Sequence, residues 1–447
     1  MKIAIIGAGI SGLGCAYALS KQSGIDLTIY EGGDHIGGHS NTVELTLDTA
    51  YGPVSHGIDT GFLVFNQRTY PRLIRLFEEL NVPVAKSDMS FSASIPQGNH
   101  EYLEWSGTNI DTLFAQRKNL FKPSFLKMVA DIVRFNKLCT QLLQKNKFED
   151  MNLSVGAFIK KHHFGDSFKN WYFLPMVGAI WSCSVEQMLA FPIGTMIRFC
   201  HNHGLIQISD RPQWMTVQGG SREYVKRIVT AIESSGAQFV RESVSSVART
   251  NGKVQISTHS STSEYDHVVF AAHSDQTKQL LSDASADESA ILESISYQKN
   301  KVILHTDKKL LPKNKKCWAA WNYTSSKAQG YKAKQVCVHY LINQLQPLPS
   351  EWEDQAVIVT LNPIVQPQKE TVRAEIEYAH PVFDQAAIEA QANLPLIQGV
   401  RNTWFCGAWT GYGFHEDGLR SGELVAEAIH EILHQPHRQN LSTHELS

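Results

Sequence analysis

Residues 2–31, KIAIIGAGISGLGCAYALSKQSGIDLTIYE, contain the pattern that decides the fold of this chain. An apolar run leads into the spacing GxGxxG, a helical run follows, and a second apolar run ends at a glutamate. This order predicts a strand, a tight turn, a helix and a second strand. Gly7 permits the turn, Gly9 lets the backbone approach a pyrophosphate, and Gly12 lets the helix lie close to the strand. We therefore expect a dinucleotide site at the N terminus of the helix.

Glu31 indicates which dinucleotide the turn accepts. It lies 19 residues after Gly12, where a carboxylate accepts hydrogen bonds from the adenosine ribose hydroxyls. A carboxylate at this point repels a 2′-phosphate, so NADP is not expected. The glycines could serve packing alone, but the strand before them, the helix among them and Glu31 after them favour a dinucleotide site.

Length and composition exclude several classes of protein. The chain has 447 residues, which predicts two or three domains, and its net charge of −2 is evenly spread. No basic stripe or tail points to nucleic acid. The seven cysteines form no CxxC, which fits reduced core residues in a cytoplasmic protein. No apolar run reaches the ~20 residues of a transmembrane helix, and the glycine spacing has no role in a secretory leader.

The chain changes character several times after its first domain. From about residue 85 to 205, helical patterns rich in aromatic residues predict an insertion, most clearly over 124–143. This insertion can be an ordinary helical core, a cap over an apolar cavity, or both. Segments between 295 and 380 are strand-like and predict an antiparallel sheet. The last strand, at 403–407, leads into a glycine-rich loop and a final helix, whose N terminus can stabilise negative charge.

This order of segments resembles the flavin amine-oxidase and phytoene-desaturase branch of FAD enzymes. The resemblance rests on the opening turn, the Gly219-Gly220 turn and the 407–422 stretch, and it covers roughly residues 1–430. The pair Gly37-Gly38 is similar to one in FAD proteins of the glutathione-reductase type. The resemblance implies an α/β Rossmann-like FAD-binding domain interleaved with a substrate domain of antiparallel sheet and helices. The implied FAD-binding pieces are 1–84, 205–294 and 396–433, the substrate pieces are 85–204 and 295–395, and 434–447 is a flexible tail.

A second set of motifs resembles a narrower bacterial family, labelled predicted NAD/FAD-binding protein. Its members are commonly encoded near cyclopropane-fatty-acyl-phospholipid synthase-like methyltransferases. The chain also resembles a flavin desaturase that acts on methylated acyl chains in furan fatty acid formation. The motifs are 38–42, 59–62, 114–117, 212–214, 304–307, 321–323, 380–384 and 413–418.

This resemblance implies an FAD-dependent oxidoreductase that dehydrogenates a lipid or phospholipid acyl chain by hydride transfer to flavin N5. It also implies a synthase-like methyltransferase as functional partner and a cytoplasmic location with peripheral contact at the inner face of the membrane. The turn 308–316 carries five lysines. The turn is either an ordinary solvated loop or a contact for anionic lipid headgroups. Two alternatives stay open: a flavin amine oxidase on a small amine, and a non-catalytic FAD-binding partner of a lipid enzyme.

The resemblance also assigns site residues. His415 stands where amine oxidases carry a cage tyrosine, so we expect it to touch substrate or flavin. Lys301, with Lys299 nearby, lies where the branch often has a lysine bridged by water to flavin N5.

Since no cysteine lies between Val338 and Phe405, we expect non-covalent FAD. No metal is expected, because the paired histidines lack ligand partners at metal spacing. The cofactor-binding residues are Gly7, Gly9, Ser11, Gly12, Glu31, Gly37, Gly38, His39, Gly61, Phe62, Gly219, Val244, Gly407, Asp417, Gly418 and Leu419.

Overall fold

The opening strand–turn–helix–strand unit is confirmed in the computed structural model. Strand Lys2–Ile6 is followed by helix Ile10–Ser20 and strand Asp26–Tyr30. The structure describes residues 1–98, 101–145, 148–181, 185–206, 212–325 and 336–434. Apart from its first residue, the predicted tail from 434 onward lies outside the described residues.

The elements follow in chain order. The strands are β1 Lys2–Ile6, β2 Asp26–Tyr30, β3 Thr42–Thr49, β4 Gly52–Asp59, β5 Phe65–Asn66, β6 Val84–Ser87, β7 Phe91–Gly98, β8 Glu101–Ser106, β9 Trp214–Val217, β10 Gln238–Val240, β11 Val244–Thr250, β12 Lys253–Thr258, β13 Thr262–Tyr265, β14 His267–Phe270, β15 Ser296–His305, β16 Trp321–Thr324, β17 Cys337–Leu341, β18 Ile358–Leu361, β19 Val372–Val382 and β20 Thr403–Phe405. The helices are α1 Ile10–Ser20, α2 Pro71–Glu79, α3 Ile110–Leu113, α4 Pro123–Lys145, α5 Phe148–Met151, α6 Val155–Lys161, α7 Asp166–Phe168, α8 Leu174–Trp181, α9 Val185–Ala190, α10 Ile193–Asn202, α11 Arg222–Glu233, α12 Ser274–Leu280, α13 Ala286–Glu293, α14 Ile342–Leu345, α15 Gln385–Asn393 and α16 His415–His434.

A five-stranded parallel sheet, in the order β10-β2-β1-β14-β20, carries the dinucleotide turn. Its central strands are buried on both faces, which is why residues 268–270 of β14 are all apolar. The strands come from all three pieces that the sequence analysis assigned to FAD binding. The domain boundaries themselves stay a prediction.

Helices α1 and α16 pack closely along one side of this sheet. A Cβ atom on Gly422 would lie 2.1 Å from the carbonyl oxygen of Ser11, and one on Gly14 would lie 2.5 Å from Leu419 Cδ1. The two helices can approach because both present bare backbone at their contact. This contact brings the N terminus of α16 beside the turn that precedes α1.

A seven-stranded sheet, in the order β19-β15-β18-β17-β16-β7-β8, forms the second layer. Its pairs are antiparallel except β16 with β7, which run parallel. All strand pairs within residues 295–380 are antiparallel, so the antiparallel sheet predicted there is confirmed, and the parallel pair joins it to β7. β7 and β8 lie in the stretch that the sequence analysis described as helical. Residues 91–95 do alternate apolar residues with serine, which is the period of a strand, but the helical patterns that follow them dominated the prediction for this stretch.

The insertion after β8 is helical and aromatic, as predicted. The ring of Phe135 on α4 lies 5.3–6.3 Å, centroid to centroid, from four other phenylalanine rings of the insertion. Trp181 and Phe199, from the same insertion, line the large cavity described below. Both readings of this segment, as core and as cavity wall, therefore hold.

Two further observations concern the chain as a whole. Every cysteine in the described part of the chain is free and buried, and Cys183 lies outside it. No described helix combines the length and the hydropathy needed to cross a bilayer.

Candidate active site

A cavity of about 440 Å³ lies where the parallel sheet, the seven-stranded sheet and the helical insertion meet. The dinucleotide turn, the Gly37-Gly38 pair and the start of α16 contribute to its wall. Much of the rest is apolar or aromatic and comes from the seven-stranded sheet, the helical insertion and the segments beside them, including Met89, Trp181, Phe199, Trp321, Tyr340 and Leu361. The turn and the apolar wall therefore share one space.

The three glycines of the first turn have different roles. Gly7 has φ +104°, and a Cβ atom there would lie 2.8 Å from the carbonyl oxygen of Ala271. A Cβ on Gly12 would lie 1.9 Å from the carbonyl oxygen of Gly7, so this residue is required for packing and does not line the cavity. A Cβ on Gly9 would meet only the Cα of Gly38, at 4.0 Å. Gly9 therefore leaves free space that a ligand can fill.

The Gly37-Gly38 pair lies against the first turn. The N–H of Gly37 donates to the carbonyl oxygen of Ala8 at 2.9 Å, and a Cβ on Gly38 would be 3.2 Å from the Cα of Gly9. Two stretches of bare backbone thus face one another at the N terminus of α1. A helix N terminus with exposed backbone N–H groups suits a pyrophosphate.

Glu31 lines the same cavity, and its carboxylate is held in place by backbone. Oε2 accepts from the N–H of Ala8 at 2.9 Å and Oε1 accepts from the N–H of Gly33 at 2.7 Å. Each carboxylate oxygen can accept more than one bond, so both can still take a ribose hydroxyl. The glycine cradle and Glu31 together fit the adenosine diphosphate part of FAD.

His39 belongs to a group of rings that the sequence analysis did not bring together. Its ring stacks on Tyr378 at 4.9 Å and lies 5.4 Å from His380 and 6.3 Å from His273. Burial lowers the pKa of His39 well below its ordinary value, and repulsion from the neighbouring histidines, His380 first among them, lowers it further. Its Nε2 is buried without a protein partner. An orphaned imidazole nitrogen next to Gly38 fits a contact with a bound cofactor.

His273 and His380 also line this part of the cavity. Nδ1 of His380 is 2.8 Å from the side-chain nitrogen of Asn300, so the amide donates and the proton of this imidazole lies on Nε2. Burial lowers the pKa of His380 to about 4 and also lowers the pKa of His273. Both rings are therefore neutral hydrogen-bonding groups near pH 7.

His415 lies at the start of α16 and lines the cavity, and its predicted contact with substrate or flavin stays a prediction. Its Nε2 lies 2.8 Å from Ser40 Oγ and 3.2 Å from the hydroxyl of Tyr224, and its ring is stacked on Phe62. Burial lowers the pKa of His415 to about 3. The ring is a fixed, neutral part of the wall and a weak base.

The segment 59–62 is fixed by a buried carboxylate. Asp59 accepts from Thr42 Oγ1 at 2.6 Å, from the N–H and hydroxyl of Ser221 at 2.7–2.9 Å, and from Gln346 Nε2 at 3.0 Å. Burial raises the pKa of Asp59 to about 6 despite these donors. Gly61 and Phe62, which follow, line the cavity. A Cβ on Gly61 would be 2.3 Å from the carbonyl oxygen of His39, so only glycine fits.

The structure does not bring Lys301 to the cavity. Its Nζ pairs with Glu375 at 2.8 Å, with the lysine side chain 46% exposed, and Lys299 pairs with Glu377 at 2.9 Å. Successive side chains of β15 point to opposite faces, and Asn300 and Val302 point inward. The structure therefore places Lys301 outside the cavity, which does not fit the catalytic role predicted for it. The sequence signal was the alternation of Lys299 and Lys301 with Asn300 and Val302, since it places both lysines on one face.

Several predicted cofactor-binding residues support the site from outside the cavity. Gly219 lies in the turn before α11 and Val244 at the start of β11, next to Ser243, which contacts Gly32. The carboxylate of Asp417 accepts hydrogen bonds from the N–H groups of Tyr412 and Phe414, which holds the loop before α16 in one conformation.

Gly418 and Leu419 pack α16 on α1. The members of the predicted set that line the cavity are Gly7, Gly9, Ser11, Glu31, Gly37, Gly38, His39, Gly61, Phe62, Gly407 and His415.

Comparison with known proteins agrees with this arrangement. Residues 10–430 match the model of a family described as flavin containing amine oxidoreductase. Among curated proteins, none is similar enough in sequence to count as a relative.

Three solved structures share the fold along nearly the whole chain. Cyclohexylamine oxidase from Brevibacterium oxydans IH-35A has a TM-score of 0.68 at 16% identity, over 97% of this chain and 99% of that one. A CLA-producing fatty acid isomerase from P. acnes has 0.65 at 16%, over 95% and 98%. A putative protoporphyrinogen oxidase from Exiguobacterium sp. 255-15 has 0.63 at 14%, over 96% and 98%. At these identities the likeness shows the fold alone.

Proposed function

Because this chain belongs to the flavin-containing amine oxidoreductase family and is an FAD-dependent oxidoreductase, we propose that it dehydrogenates an apolar lipid or phospholipid acyl chain. The observation that supports this substrate class is the composition of the cavity wall. Among the described lining residues, Glu31 is the one carboxylate, and it belongs to the dinucleotide turn. The substrate part of the wall therefore offers a protonated amine no counter-charge, whereas its aromatic and aliphatic side chains suit a hydrocarbon chain.

The protein's part in this reaction is to bind and orient the substrate and to exclude water. Bound FAD supplies the hydride acceptor at flavin N5. Residues 7–12, 31 and 37–39 would hold it, and no described cysteine lines the cavity, which supports non-covalent binding. His415, held by Phe62 and Ser40, gives the wall a rigid polar group.

The resemblance to proteins encoded near cyclopropane-fatty-acyl-phospholipid synthase-like methyltransferases supports two further proposals. We propose that such a methyltransferase is the functional partner and supplies the methyl-branched or cyclopropane acyl chain. We also propose that the protein acts in the cytoplasm.

One experiment separates the proposed function from its alternatives. Purified holoprotein is mixed anaerobically with phospholipids that carry saturated, methyl-branched or cyclopropane chains, and separately with small amines, while flavin absorbance is followed. We expect bleaching by phospholipid, and a changed phospholipid acyl profile by mass spectrometry in a deletion strain. Bleaching by amines with an unchanged lipid profile would establish the amine oxidase instead. A flavin that neither class reduces, together with a changed lipid profile, would identify a non-catalytic partner.

A further inference from the structure

One face of the molecule combines protruding apolar side chains with a surplus of lysine. Ile110, at the start of α3, is 78% exposed and Phe121, at the end of a short 3₁₀ turn, is 87% exposed. Leu120 and Leu126 beside them are 42% and 43% exposed. Of the twelve large exposed apolar side chains in the described residues, five lie between residues 110 and 133. Their concentration in one segment sets this face apart from scattered surface leucines.

These side chains stand on a rigid base. Gln116 donates to the carbonyl oxygen of Tyr102 at 2.9 Å and accepts from the N–H of Glu104 at 3.2 Å, which ties the segment to β8. Beneath it, Phe114 packs on Phe125 with ring centroids 5.6 Å apart. Ile110 and Phe121 therefore face outward because the fold holds them there, and not because the segment frays.

The turn 313–316 joins this segment and adds positive charge. The carboxylate of Glu104 accepts from the N–H groups of Lys313 and Asn314 at 2.8 and 2.9 Å. Nζ of Lys316 pairs with Asp111 at 3.0 Å. The two segments thus form one surface, here called the lysine–phenylalanine face, which consists of residues 101–122 and 313–316.

The charge of this face opposes that of the whole protein. It contains the six cations Arg117, Lys118, Lys122, Lys313, Lys315 and Lys316 and the three anions Glu101, Glu104 and Asp111. Its net charge is +3, whereas the chain carries −2. Partial burial lowers the pKa of Lys122, and the charge of the nearby Lys118 lowers it further.

We propose that the lysine–phenylalanine face docks on an anionic phospholipid surface, with Ile110 and Phe121 inserted among the acyl chains and the lysines at the phosphates. Five of the six cations are lysines, whereas protein–protein interfaces are depleted in lysine and enriched in arginine. Lysine stems can cover apolar surface while the ammonium reaches the headgroups. This peripheral contact goes beyond the proposed function and can be tested without any turnover of substrate.

The test is flotation of the holoprotein with phosphatidylcholine vesicles, with and without phosphatidylglycerol. We expect binding only to the anionic vesicles, weakened by salt. Ile110→Ser with Phe121→Ser should weaken binding by about tenfold for each side chain. Lys313→Gln with Lys315→Gln should weaken it about fivefold for each charge. Matched controls are Val365→Ser with Leu396→Ser, at 62% and 65% exposure elsewhere on the surface, and Lys226→Gln with Lys369→Gln.

Three results would overturn the proposal. The first is equal binding to neutral and anionic vesicles, or none to either. The second is that the Ile110→Ser, Phe121→Ser protein binds vesicles as strongly as the Val365→Ser, Leu396→Ser control, which would show that Ile110 and Phe121 do not insert into the bilayer. The third is a halved mass of this variant in light scattering, which would identify the face as a contact between two copies of the chain. Unchanged thermal unfolding and flavin content show that each variant is folded.

Discussion

The imidazole of His415 lies parallel to the phenyl ring of Phe62, with ring centroids 3.9 Å apart and planes inclined by 13°. Ser40 Oγ, 2.8 Å from the imidazole Nε2, completes the contact. Ser40 and Phe62, from the first part of the chain, thus fix at the cavity wall a ring that lies 375 residues after Ser40. The arrangement makes His415 a positioning group more than a base, and this has measurable consequences.

The first prediction concerns the bond between His415 and Ser40. His415→Phe keeps a ring against Phe62 but removes the bond, so the free energy of unfolding should fall by about 1 kcal/mol. Ser40→Ala should cost a similar amount, and the double variant should cost less than the sum of the two. Urea unfolding of the four proteins measures this coupling. Strictly additive losses would show that the bond contributes nothing.

The second prediction concerns the pH dependence of stability. Burial lowers the pKa of His415 and His339 to about 3 and that of His380 to about 4, below the ordinary value of 6.5. Below pH 6.5 these histidines are protonated in the unfolded chain but stay neutral in the folded chain. The free energy of unfolding that they contribute is therefore fully present above pH 6.5 and falls as the pH drops toward 4.

Each such group contributes up to about 1.4 kcal/mol per pH unit within that window. Asp59 acts in the opposite sense between pH 4 and 6, because its pKa is raised to about 6. Urea midpoints from pH 7 to 5 measure the balance, and His380→Gln should reduce the slope by about one proton. A slope that is flat in both proteins would contradict neutral burial of the histidines.

The third prediction contrasts two glycines of the same turn. Gly9→Val should give a folded, colourless protein, because the new side chain enters the space that the cofactor needs. Gly12→Val should fail to fold, because its Cβ would lie 1.9 Å from the carbonyl oxygen of Gly7. Flavin absorbance and thermal unfolding distinguish the two outcomes. A yellow Gly9→Val protein would show that the pyrophosphate does not pass here.

The fourth prediction separates the charge of Glu31 from its structural bonds. Glu31→Gln keeps an acceptor for the N–H of Ala8 or Gly33, so the stability of the apoprotein should change little. Its affinity for FAD should fall by roughly 1–3 kcal/mol, the value of a hydrogen bond to a charged group. Titration of apoprotein with FAD measures the loss. Equal affinity in the two proteins would place the ribose elsewhere.

The parts of the site that could be predicted are those that local turn chemistry determines. Gly7 has φ +104°, and a Cβ on Gly12 would lie 1.9 Å from the carbonyl oxygen of Gly7, so the spacing of these glycines alone indicates the turn. The ring group of His39, His273 and His380 could not be found in this way. It forms only when the segment after β14 and strand β19 meet the residue that follows the Gly37-Gly38 pair. The three histidines lie far apart in the sequence, and no motif relates their positions.

Strand parity is information that the sequence holds but motif comparison overlooks. On β15, Lys299 and Lys301 alternate with Asn300 and Val302, so a period of two assigns Asn300 to the same inward face as Val302 and both lysines to the other face. The comparison by motif selected the lysine because the family often has one in this segment. The face on which a residue lies therefore constrains its role more strongly than its approximate position in a motif.

The last prediction tests this parity directly. Lys301→Met should leave flavin content and flavin reduction unchanged, because the side chain pairs with Glu375 on the exposed face. Asn300→Leu removes the donor to Nδ1 of His380, which frees the imidazole to change tautomer and orientation beside the cofactor. It should therefore shift the flavin absorbance spectrum and slow flavin reduction while the protein stays folded. A spectrum altered by Lys301→Met and untouched by Asn300→Leu would reverse the assignment of the two faces.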